Sequence, residues 1–112
     1  MSDHDDRISL RHMLSHAREA VEFSTGRARQ DLATDRQLFL VLMKLVEIVG
    51  EGASRVSQEF RNSHPEIPWS FAIGMRARLS HGYDKVDLDI LWETVTEDLP
   101  ELIETLERLV GE

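Results

Sequence analysis

From Leu88 to Val110 the apolar residues recur on the three-and-four spacing of an α-helix: Leu88, Leu91, Trp92, Val95, Leu99, Leu102, Ile103, Leu106, Leu109 and Val110. A helix that keeps one apolar face for so long must lay that face against other helices, because alone in water it is only marginally stable. The acid Asp87 suits the start of this helix, where the backbone dipole is positive. Pro100 lies inside it and predicts a kink, since its ring removes one backbone bond and crowds the preceding turn.

The rest of the chain repeats the pattern. Leu10, Leu14, Ala17 and Val21, widened by Ile8, Met13 and Ala20, predict an amphipathic helix from Asp5 to about Ser24, with Thr25-Gly26 as its stop. A second helix is expected to open near Asp31 or Thr34-Asp35, where short oxygen-bearing side chains can cap free N–H groups. It runs through Leu38-Phe-Leu-Val-Leu-Met43, Leu45, Val46, Ile48 and Val49, apolar on nearly every side. Such a helix is central to the core or buries a further face against a second subunit. Gly50 and Gly52 predict a bend, because each lowers helix propensity by about 1 kcal/mol. Ala53, Val56 and Phe60 then resume the pattern.

Asn62 to Pro68 reads as a loop, with two prolines that resist the helical conformation. A third helix follows, with Pro68 in its first turn and Trp69, Ala72, Ile73 and Leu79 facing inward, ending at Gly82. No strand-like alternation or repeat is present. The fold class expected is all-α, an antiparallel bundle of four main helices, in a single domain over residues 1–112.

Composition narrows the function classes. Cysteine is absent, which removes disulfides, thiolate nucleophiles and thiolate metal sites. Hydrophobic residues make up 41% with no membrane-length run, and the first residues are acidic, so a cytoplasmic protein is expected. A net charge of −8 opposes general affinity for nucleic acid. The charge is uneven, however. Asp87 to Glu112 holds nine acids against Arg108 alone, whereas Arg55 to Lys85 holds five bases against three acids. The anion-friendly segment is therefore the one that ends the third helix.

That segment reads Arg76-Ala-Arg-Leu-Ser-His81-Gly-Tyr83-Asp-Lys85. RNA can be cut without a metal when the neighbouring 2′-hydroxyl attacks phosphorus, provided that a group near pKa 7 moves protons and a cation steadies the transition state. His81 and Arg76 suit those two jobs. Around an uninterrupted helix they lie about 140° apart. Either the helix unwinds near Ser80 to Gly82, or the arginine of one subunit serves the histidine of another. Arg78 shares a face with His81 and is, with Lys85, a candidate phosphate contact. His81 near a helix C-terminus is favoured in its protonated form, as an acid.

The combination of Ile67-Pro68-Trp69, Met75-Arg76-Ala-Arg-Leu-Ser-His81-Gly-Tyr83-Asp-Lys-Val-Asp87, Glu47-Ile-Val-Gly50-Glu51-Gly-Ala53 and Trp92-Glu-Thr-Val-Thr-Glu-Asp-Leu-Pro100 resembles the HepT-like branch of the HEPN superfamily. The resemblance implies a dimerising bundle that could assemble further, acting as a metal-independent ribonuclease without cofactor on a tRNA or a message. It implies the toxin of a toxin–antitoxin pair, with Arg76 and His81 catalytic. The antitoxin would be a nucleotidyltransferase that places AMP on Tyr83. Ala77 stands where many HEPN nucleases carry a polar residue, which keeps a non-catalytic dimerisation and interaction module as the alternative.

The other notable residues have plainer readings. His12 and His16 have the i, i+4 spacing of metal ligands, but with His4 and His64 they read as surface residues, and no metal is expected. Trp69 and Trp92 read as packing residues. Asp84 and Asp87 read as a cap or as groups orienting His81. The acidic last helix reads as a solvated face, able to mimic nucleic acid or to meet a basic partner.

Overall fold

The computed structural model describes residues 3–79 and 86–111, with side chains from Asp6 onward. The first helix, α1, spans Asp3–Ser24 and buries Leu10, Met13, Leu14, Ala17 and Ala20. It ends where Ser24 and Thr25 turn their hydroxyls back to the Val21 carbonyl, at 2.8 and 2.9 Å. Gly26 follows at φ +78°, a left-handed position that glycine takes without steric cost.

Both expected starts of the second helix are used. A single turn, α2, spans Asp31–Thr34, and the long α3 spans Arg36–Arg55. Asp35 separates them in extended conformation and caps α3, its carboxylate accepting the Leu38 N–H at 3.1 Å. The same carboxylate receives Arg27 Nη2 at 2.8 Å. That hydrogen bond, followed by the Leu38 N–H, holds Asp35 below the usual carboxylate range.

α3 runs as one uninterrupted α-helix across Gly50 and Gly52. The two glycines admit neighbours. A methyl on Gly52 would lie 2.7 Å from Met13 Cγ, and one on Gly50 would lie 3.2 Å from the Ala72 carbonyl oxygen. Close approach of α1 on one side and the next long helix on the other outweighs the propensity cost.

The short α4, Gln58–Ser63, is capped by Ser57, whose hydroxyl accepts the Phe60 N–H at 3.1 Å. Ser57 in turn donates its backbone N–H and its hydroxyl to Asp6 of α1, at 2.8 and 2.7 Å. This satisfies a carboxylate that is only 2% exposed. After the expected loop, α5 spans Trp69–Leu79, with the Pro68 carbonyl accepting the Ala72 N–H. Trp69, Ala72, Met75 and Leu79 are buried and Ile73 partly so. Trp69 Nε1 donates to the His64 carbonyl at 2.9 Å, which pins the loop under the helix.

At Asp87 the backbone N–H donates to the Leu79 carbonyl at 2.8 Å, so the chain resumes beside the end of α5. Asp87 then caps α6, Leu88–Glu93, by accepting the Ile90 N–H. The interruption expected from Pro100 takes a definite form. A π-helical turn over Thr94–Asp98 joins α6 to α7, Leu99–Val110, and Pro100 lies just beyond the widened turn, in the first turn of α7.

Pairings across helices run in opposite numerical order: Gly52 with Met13 and Asp6 with Ser57, Gly50 with Ala72 and Glu47 with Arg76. Arg18 of α1 likewise meets Glu107 of α7 at 2.8 Å. The result is an antiparallel bundle with α3 packed between α1 and α5, and α7 against α1. The buried residues of all the long helices form one hydrophobic cluster. No described helix is long and apolar enough to cross a membrane.

Candidate functional site

The last turns of α5 carry Arg76, Ala77 and Arg78, all exposed. Their backbone is held by the buried neighbours Met75 and Leu79, 1% exposed each, so the exposed residues stand on a fixed platform. Two residues of helix separate the arginines by about 200°, and they enter different surroundings.

Arg76 turns toward α3. Its Nε lies 3.7 Å from Glu47 Oε2, and its side chain is 68% exposed. A pair this long and this wet is weak, worth about 0–1 kcal/mol, and leaves the guanidinium available to another anion. Arg78 turns toward α7. Its guanidinium carbon sits 4.4 Å from the centre of the Phe71 ring, two turns earlier on the same helix. Its charge is also felt by Asp98, at the end of the π turn. Partial burial raises Asp98 above the ordinary carboxylate range and Arg78 pulls it back, while Glu93, Glu97 and Glu101 add to the rise.

Of the residues expected to form the site, the structure thus places Arg76 and Arg78 on one helix end but on opposite faces. His81, Tyr83 and Lys85 lie outside the described residues, as does Asp84. Asp87 is a helix cap, one of its two expected roles.

His64 and His16, outside the motif, have structural partners. His64 stacks on Phe60 with ring centres 4.0 Å apart, and its Nδ1 lies 3.0 Å from the Phe60 carbonyl oxygen. His16 Nδ1 lies 2.7 Å from the His12 carbonyl oxygen. Among the described residues, no group of three or more histidines and carboxylates is placed to hold a metal. Trp69 is buried and Trp92 packs against the core.

Sequence reasoning missed three residues that shape the two arginines: Glu47, Phe71 and Asp98. Phe71 could have been found, because seven residues bring a helix back to nearly the same face. Glu47 and Asp98 reach α5 from other helices, and no local spacing announces them.

The chain matches the family model described as "Ribonuclease HepT-like" over residues 13–109. It is 36% identical over 88 residues to the "Probable ribonuclease HepT" of Thermococcus cleftensis, covering 79% of this chain and 80% of that one. It is 32% identical over 104 residues to a protein of Caldanaerobacter subterraneus named "Putative RNase TTE0752", covering 93% of each. No solved structure matches. With its motif segment inside the matched range and its helices in the bundle that the motif led one to expect, the chain belongs to the HepT-like ribonuclease family.

Proposed function

We propose that this chain is a single HepT-like domain over residues 1–112, the cytoplasmic toxin of a toxin–antitoxin pair, and cuts RNA without a metal. The observation that carries the reading is Arg76: a guanidinium 68% exposed at the end of α5, weakly held, inside a match to a ribonuclease family. Arg76 holds the non-bridging oxygens of the scissile phosphate. The 2′-hydroxyl gives its proton to solvent base and forms the O2′–P bond while the P–O5′ bond breaks. His81, as imidazolium, protonates the departing 5′-oxygen. The products are a 2′,3′-cyclic phosphate and a 5′-hydroxyl. Arg78 and Lys85 contact neighbouring phosphates of the tRNA or message.

Neutralisation falls to a partner nucleotidyltransferase. The Tyr83 hydroxyl attacks the α-phosphorus of ATP, pyrophosphate leaves, the phenolic proton is lost, and an AMP ester remains beside the site. A homodimer is part of the reading. On an uninterrupted helix Arg76 and His81 would not share a face, and α3 leaves Leu40 47% exposed beside the partly buried Phe39 and Met43. A second reading, a non-catalytic module that binds the transferase, draws on Ala77, which is exposed beside Arg76 where a polar residue is usual in HEPN nucleases.

The test is cleavage of a mixed tRNA and messenger RNA pool in EDTA by the parent, Arg76→Ala and His81→Ala. Cleavage by the parent alone supports the nuclease. Equal behaviour of all three proteins removes the catalytic assignment and leaves the interaction module. Loss of self-association in Leu40→Glu, measured by light scattering, tests the dimer separately.

A further inference from the structure

On the side of α5 away from Arg76, an open groove of about 420 Å³ runs between the start of α5 and the start of α7. That is within the size range of ligand-holding clefts, roughly 300–1,000 Å³. Phe71, Pro68 and Leu102 supply its apolar surface, and Glu66, Asp98 and Glu101 supply carboxylates. Among the described residues none of these three carboxylates is in an ion pair. Glu93 and Glu97 deepen the negative field around Asp98, and Arg78 is the cation that opposes it.

An RNA phosphate is repelled by such a field, so the groove is a poor continuation of any RNA path along α5. What it attracts is a cation with an apolar body. The molecule already illustrates the fit: the guanidinium of Arg78 rests over Phe71 at 4.4 Å, within the field of Asp98. Arginine suits the place better than lysine. Its planar fork stacks on an aromatic face, is weakly hydrated, and pairs two-pronged with a carboxylate.

The geometry points to this groove as the docking site for a basic, arginine-bearing segment of another protein, its guanidinium groups against Glu66, Asp98 and Glu101 and its aliphatic side chains on Phe71 and Leu102. Charge complementarity chooses the occupant. The groove's carboxylates, half-buried at Asp98 and exposed at Glu66 and Glu101, gain partners, and the apolar surface leaves water in the same event. The inference does not depend on the ribonuclease reading, because it concerns binding on the other face of α5 and its readout is binding.

The probe is a fluorescein-labelled, amidated twelve-residue peptide alternating Arg and Leu, with a counterpart in which every Arg is citrulline, the same shape without charge. Binding to the full chain is followed by fluorescence anisotropy and located by backbone amide NMR. Two double variants carry the same change in net charge: Glu66→Gln with Glu101→Gln in the groove, and Glu19→Gln with Glu22→Gln, exposed acids of α1 that do not line it.

The expected result is binding of the Arg peptide to the parent, with shifts at Phe71, Asp98 and Leu102. It should be weaker by about tenfold or more for the citrulline peptide and for the groove double. The distant double should stay within about twofold. No binding to the parent, equal weakening in both doubles, or shifts confined to other residues overturns the proposal. So does a single-stranded RNA twelve-mer that moves the groove amides, which would assign the groove to substrate instead.

Discussion

The seam between α1 and α3 and the outer half of α5 both contain a helical glycine, and the two glycines are under opposite constraints. Gly52 sits in the seam, where Met13 Cγ occupies the space that a methyl would need. Gly74 sits on α5 with nothing within 4 Å of that position. Around Gly52 the neighbours, Met13 and Ser9, are buried, whereas Gly74 leads into Arg76, Ala77 and Arg78, all exposed. Shape decides residue identity in the first region and decides little in the second, where charge does. Stability and chemistry should therefore be separable by mutation.

The strongest way to break that comparison is through the core side of α3. Leu42 is fully buried, so Leu42→Ala should cost about 2–5 kcal/mol by urea denaturation. A loss under about 1 kcal/mol would mean that the seam is not where the fold's stability resides.

Arg76→Ala sharpens it from the other side. Removing a transition-state cation should lower RNA cleavage by about a hundredfold or more. The melting transition should hardly move, since the pair with Glu47 is long and solvated. A large fall in thermal stability would place Arg76 in the scaffold instead.

The glycines themselves give the third test. Gly52→Ala should destabilise by about 1–3 kcal/mol, because overpacking against Met13 outweighs the gain in helix propensity. Gly74→Ala should stabilise by about 0.5–1 kcal/mol. The same sign for both would show that space around the glycine does not govern the outcome.

The smallest effect belongs to the surface cap at Asp35. Its carboxyl is held low by Arg27 and the Leu38 N–H, so the stability it contributes is present above the ordinary carboxylate range. It is lost as pH falls through the lowered value. Asp35→Asn keeps a good cap without the charge, so the gap in melting temperature between parent and variant should be widest near neutral pH and should close on acidification. Asp98, raised by burial, has the opposite sign: Asp98→Asn should help slightly near neutral pH, and the gain should vanish in acid.

Much of this architecture could be read in advance because helices declare themselves locally. The stripe from Leu10 to Val21, the stop at Gly26 and the caps at Asp35 and Asp87 depend on neighbours within a turn or two. The packing role of Gly50 and Gly52 was not legible, because it depends on α1 and α5, which are distant in sequence. The site divides the same way. The opposite facing of Arg76 and Arg78 follows from helical pitch, whereas Glu47 and Asp98 come from other helices, 29 and 20 residues away from the arginines they influence. A periodicity argument contains no information about which helix will lie beside which.

The π turn has a consequence for how the last helix stays in contact with the bundle. Its buried apolar residues, Leu91, Val95, Leu99, Leu102, Leu106 and Val110, advance by four, four, three, four and four, more slowly than an α-helix turns. On a regular helix that series would wander about 100° around the axis, enough to carry one end of the stripe into water. The wider turn at Thr94–Asp98 takes up one residue of slack and restores the aim. The chain thus meets the core along its full length with a spacing that a regular helix could not use, and the turn that makes this possible ends at Asp98, whose carboxylate feels the charge of Arg78.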